Sequence, residues 1–119
     1  MGVKRWLVAK RDGYVIAQAR GFSLPEFESA EPVRRRILFG GRVQRVGFRL
    51  EVYELANRLE LTGFCRNLES GEVLAEFQGT EARIACLVTA MESLKRIRIR
   101  RKEVTCLPLV PEETGFLKL

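Results

Sequence analysis

The stretch Gly41-Arg42-Val43-Gln44-Arg45-Val46-Gly47-Phe48-Arg49 joins a strand-like segment to a segment with helical periodicity. Its glycines permit a tight turn that points several main-chain N–H groups at one position beside a helix N-terminus. Turns of this kind bind phosphate, and the planar, always-charged guanidinium of Arg49 matches phosphoryl oxygens. The stretch therefore predicts a phosphate-binding loop between a strand and a helix.

A second polar residue follows in the segment Arg66-Asn67-Leu68-Glu69-Ser70-Gly71. The side-chain amide of Asn67 is both a donor and an acceptor, so it can hold a water molecule. Asn is also a common turn residue, and this structural role before Ser70-Gly71 is the alternative. Together with the loop, Asn67 predicts a site that binds a phosphorylated small molecule and places a water against it.

Hydrophobic periodicity outward from the loop predicts the order βαββαβ, followed by a short terminal strand. Two helices on one face of a small antiparallel sheet make an α+β, ferredoxin-like α/β sandwich. Alternation places Ile37 and Phe39 in the core, and Thr80 is the expected N-cap of the second helix. The predicted strands are 34–43, 64–68, 73–78, 97–104 and 116–119, and the predicted helices are 48–60 and 81–95.

The first 32 residues have a different composition from the rest of the chain. Two β-prone runs over residues 6–19 flank Asp12-Gly13, which predicts a β-hairpin. Residues 20–32 contain Pro25 and Pro32 and are interpreted as a linker. We therefore expect an N-terminal extension at 1–32 and a domain at 33–119. The hairpin is expected to dock on the domain or to mediate a dimer, which leaves monomer and dimer open.

The amino-acid composition excludes several kinds of catalytic site and indicates the cellular compartment. The 119 residues form one domain with net charge +6 and no histidine, which excludes imidazole catalysis and His-ligated metals. Three scattered cysteines indicate a structural role in apolar surroundings and a reducing compartment. The apolar runs are too short to span a membrane. The sequence predicts a cytoplasmic protein without a membrane partner, and the basic N-terminus leaves a mitochondrial presequence as the alternative.

Basic residues are concentrated in two stretches. Residues 34–49 contain six arginines, residues 95–102 contain six basic residues, and neither stretch contains an acidic one. Such clusters fit an anionic partner, either a small phosphate compound or a nucleic acid. For the second cluster a solvated surface is the favoured interpretation.

Residues 41–49 resemble the acylphosphatase signature Gly-x-Val-Gln-Gly-Val-x-Phe-Arg, and Asn67, Gly71 and Val73 follow at the spacing of that family. The resemblance covers residues 33–119. It implies hydrolysis of acyl phosphates without a metal or organic cofactor. It also implies that the loop amides of Gln44, Arg45, Val46, Gly47 and Phe48 hold the phosphate, or a sulfate in its place. By the same resemblance Arg49 binds that anion and Asn67 positions the water.

Arg45 occupies the position of the central glycine of the family motif. If this position needs a positive φ or a close approach to phosphate, a side chain costs about 1–2 kcal/mol. The arginine either misaims an amide, tightens anion binding, or fills the site of an inactive relative. Two other functions therefore stay open. One is a non-catalytic domain that binds acyl or carbamoyl phosphate, and the other is a basic ferredoxin-like module that binds nucleic acid.

Overall fold

The computed structural model describes residues 3–119. Eight elements follow one another along the chain, and from residue 33 onward the predicted order βαββαβ with a terminal strand is confirmed. The helices are α1 (Val3–Gly21), α2 (Phe48–Arg58) and α3 (Glu81–Glu92). The strands are β1 (Val33–Arg42), β2 (Thr62–Asn67), β3 (Val73–Gly79), β4 (Arg98–Leu107) and β5 (Phe116–Lys118).

The five strands form one sheet in the order β4-β1-β3-β2-β5. The first four pair antiparallel, as predicted. β5 lies parallel to β2, so the sheet is mixed and the expectation of a purely antiparallel sheet is wrong at this edge. The long connection between β4 and β5 permits this, since it returns the chain to the far edge of the sheet. This edge lies beside the first turn of α2, where the candidate site is found.

The core lies between one face of the sheet and α2 and α3. Ile37 and Phe39 on β1 are buried on this face, as alternation predicts, and Phe48 packs on Phe39 with ring centroids 5.1 Å apart. The Thr80 hydroxyl accepts from the N–H of Arg83 at 3.3 Å, which confirms the predicted N-cap. The largest fully buried side chains are Phe39, Phe48, Phe77, Leu55, Leu59, Leu61, Leu87 and Met91.

The N-terminal hairpin prediction is wrong, because residues 3–21 form the continuous helix α1. Gly13 is an exposed helical position where a Cβ would meet nothing within 4 Å. A glycine there destabilises the helix only through its low helix propensity, by about 1 kcal/mol relative to alanine. Tertiary packing outweighs this cost, since Val15 and Ala19 are fully buried at helical spacing. Residues 1 and 2 of the predicted extension lie outside the described residues.

Residues 22–32 contain neither helix nor strand, in agreement with the predicted linker. Their apolar side chains nevertheless pack on the domain. Phe22, Leu24 and Phe27 contact the core, and the guanidinium of Arg83 lies 4.7 Å from the centre of the Phe27 ring. Residues 22–32 are therefore a connection that packs on the surface of the domain and positions α1 near α2.

None of the helices described over residues 3–119 is long and apolar enough to cross a membrane. The three cysteine thiols are free and differ in exposure. Cys65 is buried, Cys86 is half-buried and Cys106 is exposed, so the expected apolar surroundings are wrong for Cys106.

Candidate phosphate site

A cavity of about 600 Å³ opens where the β1–α2 loop meets the end of β2. It brings together five of the seven residues predicted from sequence, although they come from different elements: Arg45, Gly47, Phe48, Arg49 and Asn67. Gln44 and Val46 do not line it within the described part of the chain. The site is therefore formed by the loop and by Asn67 at the end of β2.

The loop ends at Gly47, which is the N-cap of α2 with φ 77°. A Cβ at this position would lie 2.7 Å from Cγ2 of Val15 on α1, so the glycine is required by conformation and by space. Among residues 3–119, the main-chain N–H groups of residues 45–47 have no hydrogen-bond partner. These groups stand at the positive end of α2, where an anion is favoured.

Arg45 has φ 63°, which is the left-handed region that glycine adopts without strain. The conformation expected for the glycine of the family motif is therefore kept although the side chain has changed. Nη1 of Arg11 donates to the main-chain oxygen of Arg45 at 3.5 Å, so α1 contacts the loop at this position.

The side chain of Gln44 connects the two halves of the site. Nε2 of Gln44 donates to the main-chain oxygens of Leu68 at 2.8 Å and Glu72 at 2.9 Å. Both acceptors belong to the β2–β3 turn that follows Asn67. Gln44 therefore holds the loop and the Asn67 turn in a fixed relation through its side chain, a role that the sequence did not reveal.

Arg96 links the β1–α2 loop to α1 and α2 through hydrogen bonds. Its Nε donates to the main-chain oxygen of Val46 at 2.8 Å, and its Nη atoms bind Gln18 on α1 and Glu51 on α2. Glu51 is fully buried, and its Oε2 lacks a hydrogen bond within the described residues. Burial raises the pKa of Glu51 and outweighs the lowering by Arg96. The solvated-surface interpretation of residues 95–102 is therefore wrong for Arg96.

Arg49 stands in the first turn of α2, and its Nη1 donates to the main-chain oxygen of Leu119 after β5. The Cys65 thiol lies below it and donates to the main-chain oxygen of Arg49 at 3.8 Å. Burial raises the pKa of Cys65 to about 12, although the charges of Arg49 and Lys118 act in the opposite direction. Cys65 is thus a protonated, structural thiol, in line with the sequence prediction.

Two other arginines of the first basic stretch, Arg34 and Arg36, have carboxylate partners on the open face of the sheet. Nε of Arg34 lies 2.9 Å from Oε1 of Glu76, and Nη1 of Arg34 lies 2.8 Å from Oε1 of Glu113. Arg36 binds the other oxygen of Glu76 at 2.9 Å. By contrast, Arg45 and Arg49 form no ion pair with an Asp or Glu side chain among residues 3–119.

A family model described as acylphosphatase matches residues 35–117. The chain belongs to the acylphosphatase family. The acylphosphatase of Pseudomonas paraeruginosa is 44% identical over 71 residues, which cover 59% of this chain and 78% of the relative. That of Clostridium beijerinckii is 33% identical over 85 residues, which cover 71% of this chain and 94% of the relative.

Solved structures show the same fold. The crystal structure of acylphosphatase from Bacillus subtilis has a TM-score of 0.68 and 27% identity, covering 73% of this chain and 98% of that one. Full-length HypF in the phosphate- and nucleotide-bound form has a TM-score of 0.69 and 26% identity, covering 79% of this chain but 12% of that one. The predicted family and its fold are confirmed.

In this acylphosphatase-family protein, one wall of the cavity comes from α1, which precedes the matched region. Lys4, Val8, Arg11 and Asp12 line the cavity from this helix, and Lys118 lines it from β5. The sequence analysis missed these four residues because it assigned them to an N-terminal extension, with a β-hairpin over residues 6–19, outside the domain that holds the site. Their spacing at positions 4, 8, 11 and 12 follows one helical face and is the signal that identifies them.

Proposed function

We propose that this protein hydrolyses acyl phosphates, the mixed anhydrides of a carboxylic acid and phosphoric acid, to carboxylate and orthophosphate. The proposal rests on one observation. Arg49 at the start of α2 and Asn67 at the end of β2 line the same cavity as the glycine-containing loop. Membership of the acylphosphatase family supports this class of reaction.

In the proposed complex, the main-chain N–H groups of residues 44–48 hold the phosphoryl oxygens at the N-terminus of α2. Arg49 binds the same oxygens through its guanidinium. A guanidinium carries five N–H donors, and the contact with Leu119 uses Nη1, so donors remain for a two-point contact with phosphate. Fixed donors of this kind stabilise the charge of the transition state.

Asn67 orients the attacking water in the proposed reaction. The water oxygen forms a bond to phosphorus, the bond from phosphorus to the acyl oxygen breaks, and the carboxylate leaves. The proton of the water passes to an oxygen of the phosphoryl group. Phosphoryl transfer has a loose transition state, so positioning and charge stabilisation supply most of the catalysis. A carboxylate is a good leaving group, which fits a chain without histidine.

The test is hydrolysis of benzoyl phosphate in the presence of EDTA. Wild type should turn over, Arg49→Ala should lose phosphate binding and activity, and Asn67→Ala should lower kcat by about 100-fold with little change in KM. Asn57→Ala, an exposed position on α2, is the matched control and should leave the rate unchanged. Normal turnover in Asn67→Ala would rule out the water-positioning role. An inactive wild type would reject hydrolysis.

A second candidate function is binding of an acyl or carbamoyl phosphate without turnover. It is favoured by Arg45, whose side chain stands in the cavity wall at the position of a glycine in the family motif. The similarity to 12% of the HypF chain is compatible with this, since it is a likeness to part of a larger protein. Phosphate binding by an inactive wild type, with turnover recovered in Arg45→Gly, would support this function. Turnover by wild type would reject it.

A further inference from the structure

The cavity is larger and more positive than a single phosphoryl group requires. Its volume of about 600 Å³ is in the range of pockets that enclose whole small-molecule ligands. Its wall carries five cations, Lys4, Arg11, Arg45, Arg49 and Lys118, against one carboxylate, that of Asp12, in the described part of the chain. The loop and Arg49 account for the phosphoryl end, so the α1 side of the cavity faces the rest of the substrate.

The two cations on α1 have different surroundings. Arg11 is bound to Asp12 at 2.9 Å and contacts the main-chain oxygen of Arg45, so it belongs to the phosphate end of the cavity. Lys4 has no ion-pair partner within residues 3–119. Lys4 lies seven positions before Arg11 in the helix, which places it about 10 Å further along the helix axis.

Between these two positions, Val8 adds an apolar contact to the same helical face. The face therefore presents, in order from the loop, a neutralised ion pair, an apolar side chain and an unpaired ammonium group. A ligand that matches this order has a phosphoryl group at one end, an apolar middle and a second negative charge at the other end.

We infer that the preferred substrate is an acyl phosphate whose acyl group carries a second anionic group, bound by Lys4 on α1. The inference rests on the proposed function and names the substrate class for the same site. The second anion is a carboxylate or a phosphate, since an ammonium group binds both as a point charge.

The test compares benzoyl phosphate with 4-carboxybenzoyl phosphate, which differ only in a carboxylate opposite the acyl phosphate. Wild type should show a higher kcat/KM for the carboxylated substrate. Lys4→Gln should reduce this preference about fivefold, and Lys4→Glu should reverse it. Arg5→Gln removes the same charge from the next residue, which is exposed and does not line the cavity, and it should keep the wild-type preference.

Equal kcat/KM for both substrates in wild type overturns the inference while leaving acyl phosphate hydrolysis intact. Equal effects of Lys4→Gln and Arg5→Gln also overturn it, because they indicate the general positive field of the helix. If wild type hydrolyses neither substrate, the proposed function fails. Calorimetric binding of benzylphosphonate and 4-carboxybenzylphosphonate to the same four proteins then decides the inference independently. Tighter binding of the carboxylated compound that is lost only in the Lys4 variants supports it, and any other pattern rejects it.

Discussion

Two groups of arginines from one stretch of sequence have opposite surroundings. Arg34 and Arg36 on β1 lie on the open face of the sheet and share the two oxygens of Glu76, and Arg34 also binds Glu113. Arg45 and Arg49 lie in the cavity wall and form no ion pair with an Asp or Glu side chain among residues 3–119. The comparison teaches that the positive charge of one stretch is divided by the fold between ion pairs with Asp or Glu side chains and a cavity wall where such partners are lacking.

The buried charged groups of the two regions also differ in their hydrogen bonding. On the open face, the side chain of Arg34 is 4% exposed, and it donates hydrogen bonds to Glu76 at 2.9 Å, Gln78 at 3.1 Å and Glu113 at 2.8 Å. Near the loop, Glu51 has a buried oxygen without a partner in the described structure. A role at a functional site is one physical reason for an unsatisfied buried group of this kind.

The largest expected difference in stability follows from removing one charge from each group. Arg34→Met leaves Glu76 and Glu113 with a buried charge that has lost its main partner, so the free energy of unfolding should fall by about 3 kcal/mol. Arg45→Met, the matched control, breaks no ion pair and should change it by less than about 0.5 kcal/mol. Urea unfolding measures both. Similar values for the two variants would contradict the comparison.

Replacing left-handed residues with glycine separates strain from function. Arg45→Gly should raise the free energy of unfolding by about 0.5–1 kcal/mol, because glycine adopts φ 63° without strain. Glu60 has φ 57° at the end of α2, away from the cavity, so Glu60→Gly should raise stability by a similar amount without changing hydrolysis. The measurements are urea unfolding and benzoyl phosphate turnover. A loss of stability in Arg45→Gly would mean that its side chain makes a favourable contact.

As the pH falls, Glu113 on the open face and Glu51 near the loop should change the free energy of unfolding in opposite directions. Burial alone would raise the pKa of Glu113, but hydrogen bonds from Arg34 and Thr62 outweigh it and lower the pKa below the ordinary 4.5. The unfolded chain therefore binds more protons, and stability falls as the pH drops below 4.5. Burial raises the pKa of Glu51, so its protonation in acid adds stability as the pH drops through the raised value.

Urea unfolding between neutral pH and about pH 3 tests this pair. In Glu113→Gln, the free energy of unfolding should fall less than in wild type as the pH drops. In Glu51→Gln it should fall more, because the stabilisation gained by protonating Glu51 is lost. The same curve for wild type and both variants would show that neither carboxyl group differs between the folded and unfolded states.

The smallest effect concerns a thiol next to the cavity. Because the pKa of Cys65 is raised to about 12, the folded protein should not be alkylated there by iodoacetamide at about pH 8. The exposed Cys106 should react under the same conditions. Mass spectrometry of the peptides, before and after unfolding in urea, locates the adducts. Alkylation of Cys65 in the folded state would contradict the burial of this thiol and its raised pKa.

Much of the fold was predictable because local pattern and tertiary packing agree from residue 33 onward. The alternation in β1 and the apolar faces of α2 and α3 predicted the element order. The loop motif and Asn67 predicted site residues, and most of them line one cavity in the structure. The N-terminal helix was missed because Asp12-Gly13 is a strong local turn signal. The burial of Val15 and Ala19 against the loop and α2 depends on long-range contacts that no short window contains.

The side-chain contacts of Gln44 and Arg96 could not be predicted from the sequence. Gln44 was predicted to act through its backbone, but its side chain binds main-chain oxygens 24 and 28 residues away. Arg96 belongs to a basic run that is otherwise exposed, and only the folded chain places it between Val46 and Glu51. In both cases the acceptor is a group whose position is set by another element, so sequence spacing carries no signal for the contact.

The contacts of Arg96 with Gln18 and of Arg49 with Leu119 join positions 78 and 70 residues apart. The cavity wall therefore stays incomplete until residues 3–21 have packed and residues 116–119 have been synthesised. Contacts of such high sequence separation close large loops and form late, so the proposed phosphate binding should require both ends of the stretch 3–119 to have packed together. A bound anion would then stabilise the folded state of this stretch against unfolding without guiding the earlier folding steps.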